Sequence, residues 1–336
     1  MSGATTLPDE QLVAAWRGVL GAPGTQTIDK MAYGEVWSIA TASGARFVLK
    51  RLADADLARQ LRRFTEETRI VIHLGQRGLP VAVPILSDDG RICVEHDGAL
   101  WALIPMLPMP DDTDLPTAER LLQEKAGYFR GVGRVIAEMH VALADCPYDI
   151  DRGVIGPDQF AQRWDRLRTE LPEATFDALR RRVDPRWDPI AAALACSDPQ
   201  RLHGDCHGGN ILFRDGRVTG IVDIDHLQVG PRVYDLAYHL AFHVHWVVRT
   251  DIPVGPAVAA VSSATRLLIT GYQAVSLLSE AEQAAIAAIA LDAALSMVAF
   301  WRAIGNVPEE TVWVRTACWI ADHEETLHPN ASGARR

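Results

Sequence analysis

The stretch Arg201–Phe213, "RLHGDCHGGNILF", gathers His203, Asp205, Cys206, His207 and Asn210 around three glycines, between two apolar runs. A loop carboxylate beside an amide can take the proton of a substrate hydroxyl, help hold a cation, or do both. Just downstream, "RVTGIVDID" adds the carboxylates of Asp223 and Asp225. With Asp215-Gly216 as the two-residue turn of a hairpin, Asn210 stands opposite Ile221. Side-chain alternation then puts Asp223 and Asp225 on the face of Ile221, beside the loop that carries Asp205. An amide and carboxylates, with no tetrahedral Cys and His set, form a hard oxygen site suited to Mg²⁺, which keeps several waters and is commonly completed by substrate phosphates.

These groups must be positioned by the rest of the chain. Its 336 residues, 48% of them hydrophobic, are enough for two lobes with sizeable cores. From Lys30 to Met106, short β-like runs ("EVWSIAT", "RFVLKRL", "RICVEH", "ALWALIPM") are separated by turn residues. One helix interrupts them. Leu57, Leu61, Phe64, Thr68, Val71 and Leu74 recur at helical spacing and the pattern stops at Gly78. A Pro- and Asp-rich stretch, "MLPMPDDTDLPTAE", reads as a linker. Beyond it nearly every segment carries the helical period, and Ser279 with Glu282 makes a capping box. The expected organisation is an N-terminal nucleotide-binding lobe over residues 1–106 and a helical lobe over 107–336 that contains the hairpin.

Composition narrows the classes of partner. A formal net charge of −10 disfavours a broad nucleic-acid footprint. Five scattered cysteines without a CxxC pair suit reduced thiols. The N-terminus has no apolar signal-peptide core, and the apolar run "AAIAAIALDAALSMVAFW" is interrupted by Asp292, so it reads as a core helix and not a membrane span. A cytoplasmic location, with no membrane and no nucleic-acid partner, is expected.

Asp205 precedes Asn210 by five positions, the interval of the kinase catalytic loop. "HGDCHGGNIL" followed by "GIVDIDHLQVGPRVYDLA" resembles the aminoglycoside phosphotransferase and choline kinase-like family, with wording closest to the stress response kinase and homoserine kinase type II branch. The resemblance implies an α+β, two-lobed, protein-kinase-like fold with a small β-rich N-lobe and a large, mainly helical C-lobe. By position it makes Asp205 the catalytic base and Asn210 and Asp223 the Mg²⁺ ligands; Asp225 either touches a second metal or supports the loop. His203 would orient the loop backbone, and Asp235 would anchor it from the next helix. In the first half it assigns Lys50 to the nucleotide phosphates, with Glu67 as its partner and Glu66 as the alternative. Gly34 occupies the nucleotide-covering loop. Backbone groups near Ile104 and Met106 fall where the base would be received.

Several other residues read as structural. His239, His243 and His245 are expected as packed helix histidines, since no third ligand or flanking base accompanies them. "GVGRVIAEMH" is similar to a packing segment of the same family. Asp205 beside Cys206 disfavours a thiolate. Trp246, Trp301, Trp313 and Trp319 suit core positions, although the resemblance allows some of them to stack on an acceptor. The expected function is Mg-dependent transfer of the γ-phosphoryl of ATP or GTP to a hydroxyl of a small molecule, either an antibiotic (resistance-type, aminoglycoside or nucleoside-like) or an amino alcohol. The alternative is a Ser/Thr protein kinase of the stress response kinase type. The interval between Asp223 and Asp235 is too short for an activation loop, which disfavours that alternative.

Overall fold

The structure is a computed structural model that describes residues 8–22, 24–31, 35–52, 56–108, 127–149 and 153–328. Gly34 and most of the Pro- and Asp-rich linker lie outside these residues. The chain divides into two compact units, 1–109 with 147–149, and 110–146 with 150–336.

The first unit is built on an antiparallel sheet in the order β1-β2-β3-β5-β4. Its strands are β1 (Thr27–Lys30), β2 (Val36–Ala40), β3 (Arg46–Leu52), β4 (Val94–His96) and β5 (Ala99–Pro105). Asp97 and Gly98 both take positive φ, as the tight β4–β5 turn demands. One face of the sheet buries Trp37, Ile39, Leu49 and Leu103 against Leu12, Val13, Trp16 and Leu20 of the short helices α1 (Glu10–Val13) and α2 (Arg17–Leu20) and the turn between them. The other face packs Leu52, Leu100 and Ala102 on Phe64 of α3 (Leu57–Gln76). Asp56 caps α3, accepting a hydrogen bond from the Arg59 N–H at 3.0 Å.

The second unit is mainly helical. Its helices are α4 (Tyr128–Ala144), α5 (Pro157–Glu170), α6 (Glu173–Val183), α7 (Trp187–Ala193), α8 (Val233–Arg249), α9 (Val254–Gln273), α10 (Glu280–Ala303) and α11 (Val307–Asp322). Helices α4 and α9 touch backbone to backbone. A Cβ on Gly133 would lie 1.9 Å from the Leu268 carbonyl, and one on Gly271 would lie 2.1 Å from that of Arg130, so only glycine permits this approach. By length and composition α9 and α10 could each cross a membrane. Helix α10, however, buries Asp292 completely, in an ion pair with Arg163 of α5, and packs on α7, α8 and α11. It is a core helix, as Asp292 in the sequence suggested.

Two small ladders interrupt the helices: β6 (Gln200–Leu202) with β9 (Gln228–Gly230), and β7 (Ile211–Arg214) with β8 (Arg217–Ile221). They frame two loops. Residues 203–210 run from β6 into β7, and residues 222–227 run from β8 into β9. The candidate chemistry lies on these loops.

Candidate active site

Asp215 and Gly216 both have positive φ and Arg214 pairs with Arg217, so the hairpin turn is where the sequence placed it. The register beyond it differs. Phe213 faces Val218, but Leu212 faces Gly220 and Ile211 faces Ile221, because Thr219 is the extra residue of a bulge. Asn210 therefore stands opposite Val222, whose N–H donates to the Asn210 carbonyl at 2.9 Å, and not opposite Ile221. Strand β8 ends at Ile221. Asp223 is exposed with φ 57° and ψ 46°, and Asp225 sits in the 3-10 turn Ile224–His226, its carboxylate 3.7 Å from His226. The expected strand face shared by Asp223 and Asp225 does not exist: a bulge and a left-handed residue replace the alternation.

Asp205 and Asn210 are brought together directly. The Asn210 Nδ2 group donates to both the backbone carbonyl and the Oδ2 of Asp205, each at 2.9 Å. With its amide nitrogen committed, Asn210 has its Oδ1 left as an acceptor, the atom a hard cation would use. The second oxygen of Asp205, Oδ1, accepts from the Tyr238 hydroxyl at 2.7 Å. His207 Nδ1 accepts from the Gly209 N–H at 2.9 Å, so its Nε2 carries the proton and faces Asp205 Oδ2 at 3.7 Å. Burial pushes the His207 pKa down, while the charges of Asp205 and Asp223 act on it in the opposite sense. Asp223 is thus within electrostatic reach of the same loop.

The loop is held from below by a buried relay. Asp235, fully buried on α8, accepts from the N–H groups of His203 at 2.9 Å and Gly204 at 3.0 Å. His140 at the C-terminal end of α4 bonds Asp235 Oδ2 at 2.9 Å and the Tyr272 hydroxyl at 3.0 Å. Burial alone would raise the Asp235 carboxyl, but the bond from His140, with the His203 N–H beside it, outweighs burial and holds it below the usual carboxylate range. His203 joins the two loops: its Nδ1 accepts from the Asp205 N–H at 3.3 Å and its Nε2 donates to the Val222 carbonyl at 2.9 Å. Gly204 has φ 80°, and a Cβ there would lie 2.3 Å from the His226 carbonyl, so the two loops pack too closely for a side chain at this position.

Replacing His140 by Leu keeps the bulk but removes the side-chain donor of a buried carboxylate. A stability loss of about 3 kcal/mol is expected in denaturant unfolding. A shift near zero would show that the backbone N–H groups alone satisfy Asp235.

In the first unit Lys50 pairs with Ala102 across β3 and β5, so the pleat turns it to the α3 face with Leu52. Glu67 is buried on the same stripe of α3 as Phe64, Thr68 and Val71, whereas Glu66 is only half-buried. Lys50 and Glu67 therefore both face the layer between sheet and helix. Arg51 points the other way and is ion-paired with Glu35.

Part of the backbone near Ile104 and Met106 is tied into the sheet. The Met106 N–H donates to the Arg46 carbonyl at 3.1 Å, and antiparallel alternation commits the backbone groups of Ile104 to Val48 in the same ladder. By the same parity, the Pro105 carbonyl is turned away from β3, and Leu107 lies just past the end of the strand.

The helix histidines pack. His239 is buried with its pKa pushed down to about 3, and burial brings His243 and His245 to about 4. His245 stacks on the buried Trp313 at 4.1 Å. Trp246, Trp301 and Trp319 are only partly buried. Cys206 is fully buried and burial pushes its thiol well up, so it is no nucleophile. The residues that sequence reasoning missed are Tyr238, His207 and His140. Tyr238 lies three positions after Asp235, on the same helix face, and that spacing was the available signal.

A profile of the phosphotransferase enzyme family matches residues 26–278, most of the chain and both loops. The chain belongs to this family. Homoserine kinase of Neisseria meningitidis serogroup B is 27% identical over 212 residues, 63% of this chain and 62% of that protein. Stress response kinase A of Escherichia coli (strain K12) is 29% identical over 181 residues, 51% of this chain and 49% of that protein. The matches thus span less than two thirds of these curated relatives. Among solved structures, an amicoumacin kinase in complex with AMP-PNP and Ca²⁺ superposes with a TM-score of 0.67 at 18% identity, over 96% of this chain and 95% of that one. A microcompartment-associated aminopropanol kinase gives 0.67 at 16% identity, over 93% and 94%. At these identities the likeness is one of fold, and the fold is the two-lobed kinase-like one, with a β-rich N-terminal lobe and a mainly helical C-terminal lobe.

Proposed function

We propose that this phosphotransferase moves the γ-phosphoryl group of ATP or GTP to a hydroxyl of a small molecule, with an amino alcohol or an antibiotic as acceptor. The observation that carries the proposal is the Asp205–Asn210 pair on a loop fixed by Asp235. Asp205 orients the acceptor hydroxyl and receives its proton as the new O–P bond forms and the bond from the γ-phosphorus to the β–γ bridging oxygen breaks. Asn210 through Oδ1 and Asp223 through its carboxylate would hold Mg²⁺, a set of hard oxygen donors that fits this ion. When bound, the ion neutralises charge on the phosphates. Asp225 has a supporting role in its turn.

Lys50, oriented by Glu67, binds the phosphates of the nucleotide, and the Pro105 carbonyl with the Leu107 N–H receives the base. The names of the relatives support a hydroxyl acceptor on a small molecule: one is a homoserine kinase and one structural neighbour is an aminopropanol kinase. The protein-kinase reading is weaker. The interval from Asp223 to Asp235 is filled by the 3-10 turn, β9 and the start of α8, which leaves no platform for a peptide.

Lys50→Ala tests the nucleotide half. Losing a charge-assisted contact to phosphate should raise the KM for ATP roughly 10-fold or more. An unchanged KM would assign the phosphates to another cation, and Arg51, turned away and paired with Glu35, is poorly placed to be it.

A further inference from the structure

We propose that Tyr238 is a positioning residue for the reaction, fixing the Asp205 carboxylate in the orientation that receives the acceptor proton; this rests on the phosphotransferase reading above. Residues 235, 238, 239 and 242 of α8 recur at helical spacing and so form one face. They meet the loop in sequence order. Asp235 holds the N–H groups of His203 and Gly204, and the Tyr238 hydroxyl donates to Asp205 Oδ1 at 2.7 Å. His239 Nδ1 donates to the Cys206 carbonyl at 3.3 Å, and Phe242 stacks on His207 at 4.5 Å with the rings 16° from parallel. Of these four, only Tyr238 touches the group that reacts.

Among the described residues its hydroxyl has one other hydrogen-bond partner, the Met297 sulfur at 3.4 Å, a weak acceptor beside an ionised carboxylate. Burial, and then the Asp205 charge, push the phenol well up, so it stays protonated and can only donate to Asp205. With Tyr238 on Oδ1 and Asn210 on Oδ2, the carboxylate cannot turn about its last torsion without breaking a bond. The remaining lone pairs then point in fixed directions for an incoming hydroxyl, and orientation of this kind carries much of phosphoryl transfer. A purely structural tyrosine would act through its ring, which packs on Phe242 at 5.0 Å and Tyr234 at 5.9 Å and is retained in phenylalanine.

Tyr238→Phe, in the full chain with Mg²⁺ and ATP and with homoserine and aminopropanol as probe acceptors, should lower kcat roughly 10-fold while the KM for ATP and the thermal midpoint stay near parental values. Combined with Asp205→Asn it should cost nothing further, because the group it orients is already gone. A parental kcat, or an equal loss in the Asp205→Asn background, would overturn the proposal. A parent without ATP turnover would count against the phosphotransferase reading instead, and the contact is then decided by resonance Raman. The parent-minus-Tyr238→Phe difference should show the tyrosine doublet of a strong donor, lost when Asp205 is replaced by Ala; a doublet indifferent to Asp205 would sink the assignment.

Discussion

Asp205→Asn is expected to keep nucleotide binding and lose turnover by roughly 10² or more. The amide is nearly isosteric, so the bond from the Tyr238 hydroxyl survives on the remaining carbonyl oxygen. What disappears is the anionic acceptor for the substrate proton. With the carbonyl oxygen on Tyr238, the new NH2 group takes the place of Oδ2 and faces the Asn210 Nδ2 donor, so the 2.9 Å contact there is lost. Loss of orientation therefore adds to loss of basicity. Steady-state kinetics together with calorimetric nucleotide binding would separate the two halves of the expectation. Near-parental turnover would remove Asp205 from the chemistry, and a lost nucleotide affinity would mean that the substitution had collapsed the loop.

Asp223→Ala is expected to abolish metal-dependent transfer, whereas Asp225→Ala leaves measurable activity with a raised Mg²⁺ requirement. Asp223 follows Val222, whose N–H and carbonyl are tied to Asn210 and His203. Its left-handed backbone ends the strand alternation of β8 and leaves its carboxylate exposed, and its charge acts on His207 of the catalytic loop. Asp225 instead lies in the following turn beside His226. Magnesium titrations of the two variants check the contrast. Equal losses would give both carboxylates to the metal, and a loss confined to Asp225→Ala would reverse the assignment.

The parts of this site that were legible in the sequence are those fixed by short-range rules. Asp215-Gly216 declares its turn because both residues tolerate positive φ, and the five-residue interval from Asp205 to Asn210 is spanned by one loop. The helical stripe through Phe64 and Val71 carries Glu67 into the buried layer and leaves Glu66 at its margin, an ambiguity that only the phase of the real helix could resolve. The bulge at Thr219 was not legible. Whether a strand holds an extra residue depends on what its partner and the next loop require, and that next loop is tied down by contacts distant in sequence, such as His203 on the Val222 carbonyl. The parity of the β3–β5 ladder, which commits Met106 to Arg46, likewise has no signature in either strand alone. His140 lies far from Asp235 in sequence, and its role appears only once glycine contacts bring α4 and α9 together and set His140 beside Tyr272. Tyr238 was readable in principle from its spacing to Asp235, but only after Asp235 was known to face the loop.

The central claim, that the Asp205 loop transfers a γ-phosphoryl group to a small-molecule hydroxyl, is tested most directly by following labelled γ-phosphoryl from ATP into a pool of candidate hydroxyl acceptors by mass spectrometry, with parent protein and Asp205→Asn side by side. The expected result is a phosphorylated small molecule formed by the parent in the presence of Mg²⁺ and nearly absent with Asp205→Asn. Label found on protein side chains alone, or a small-molecule product formed equally well by both proteins, would contradict it.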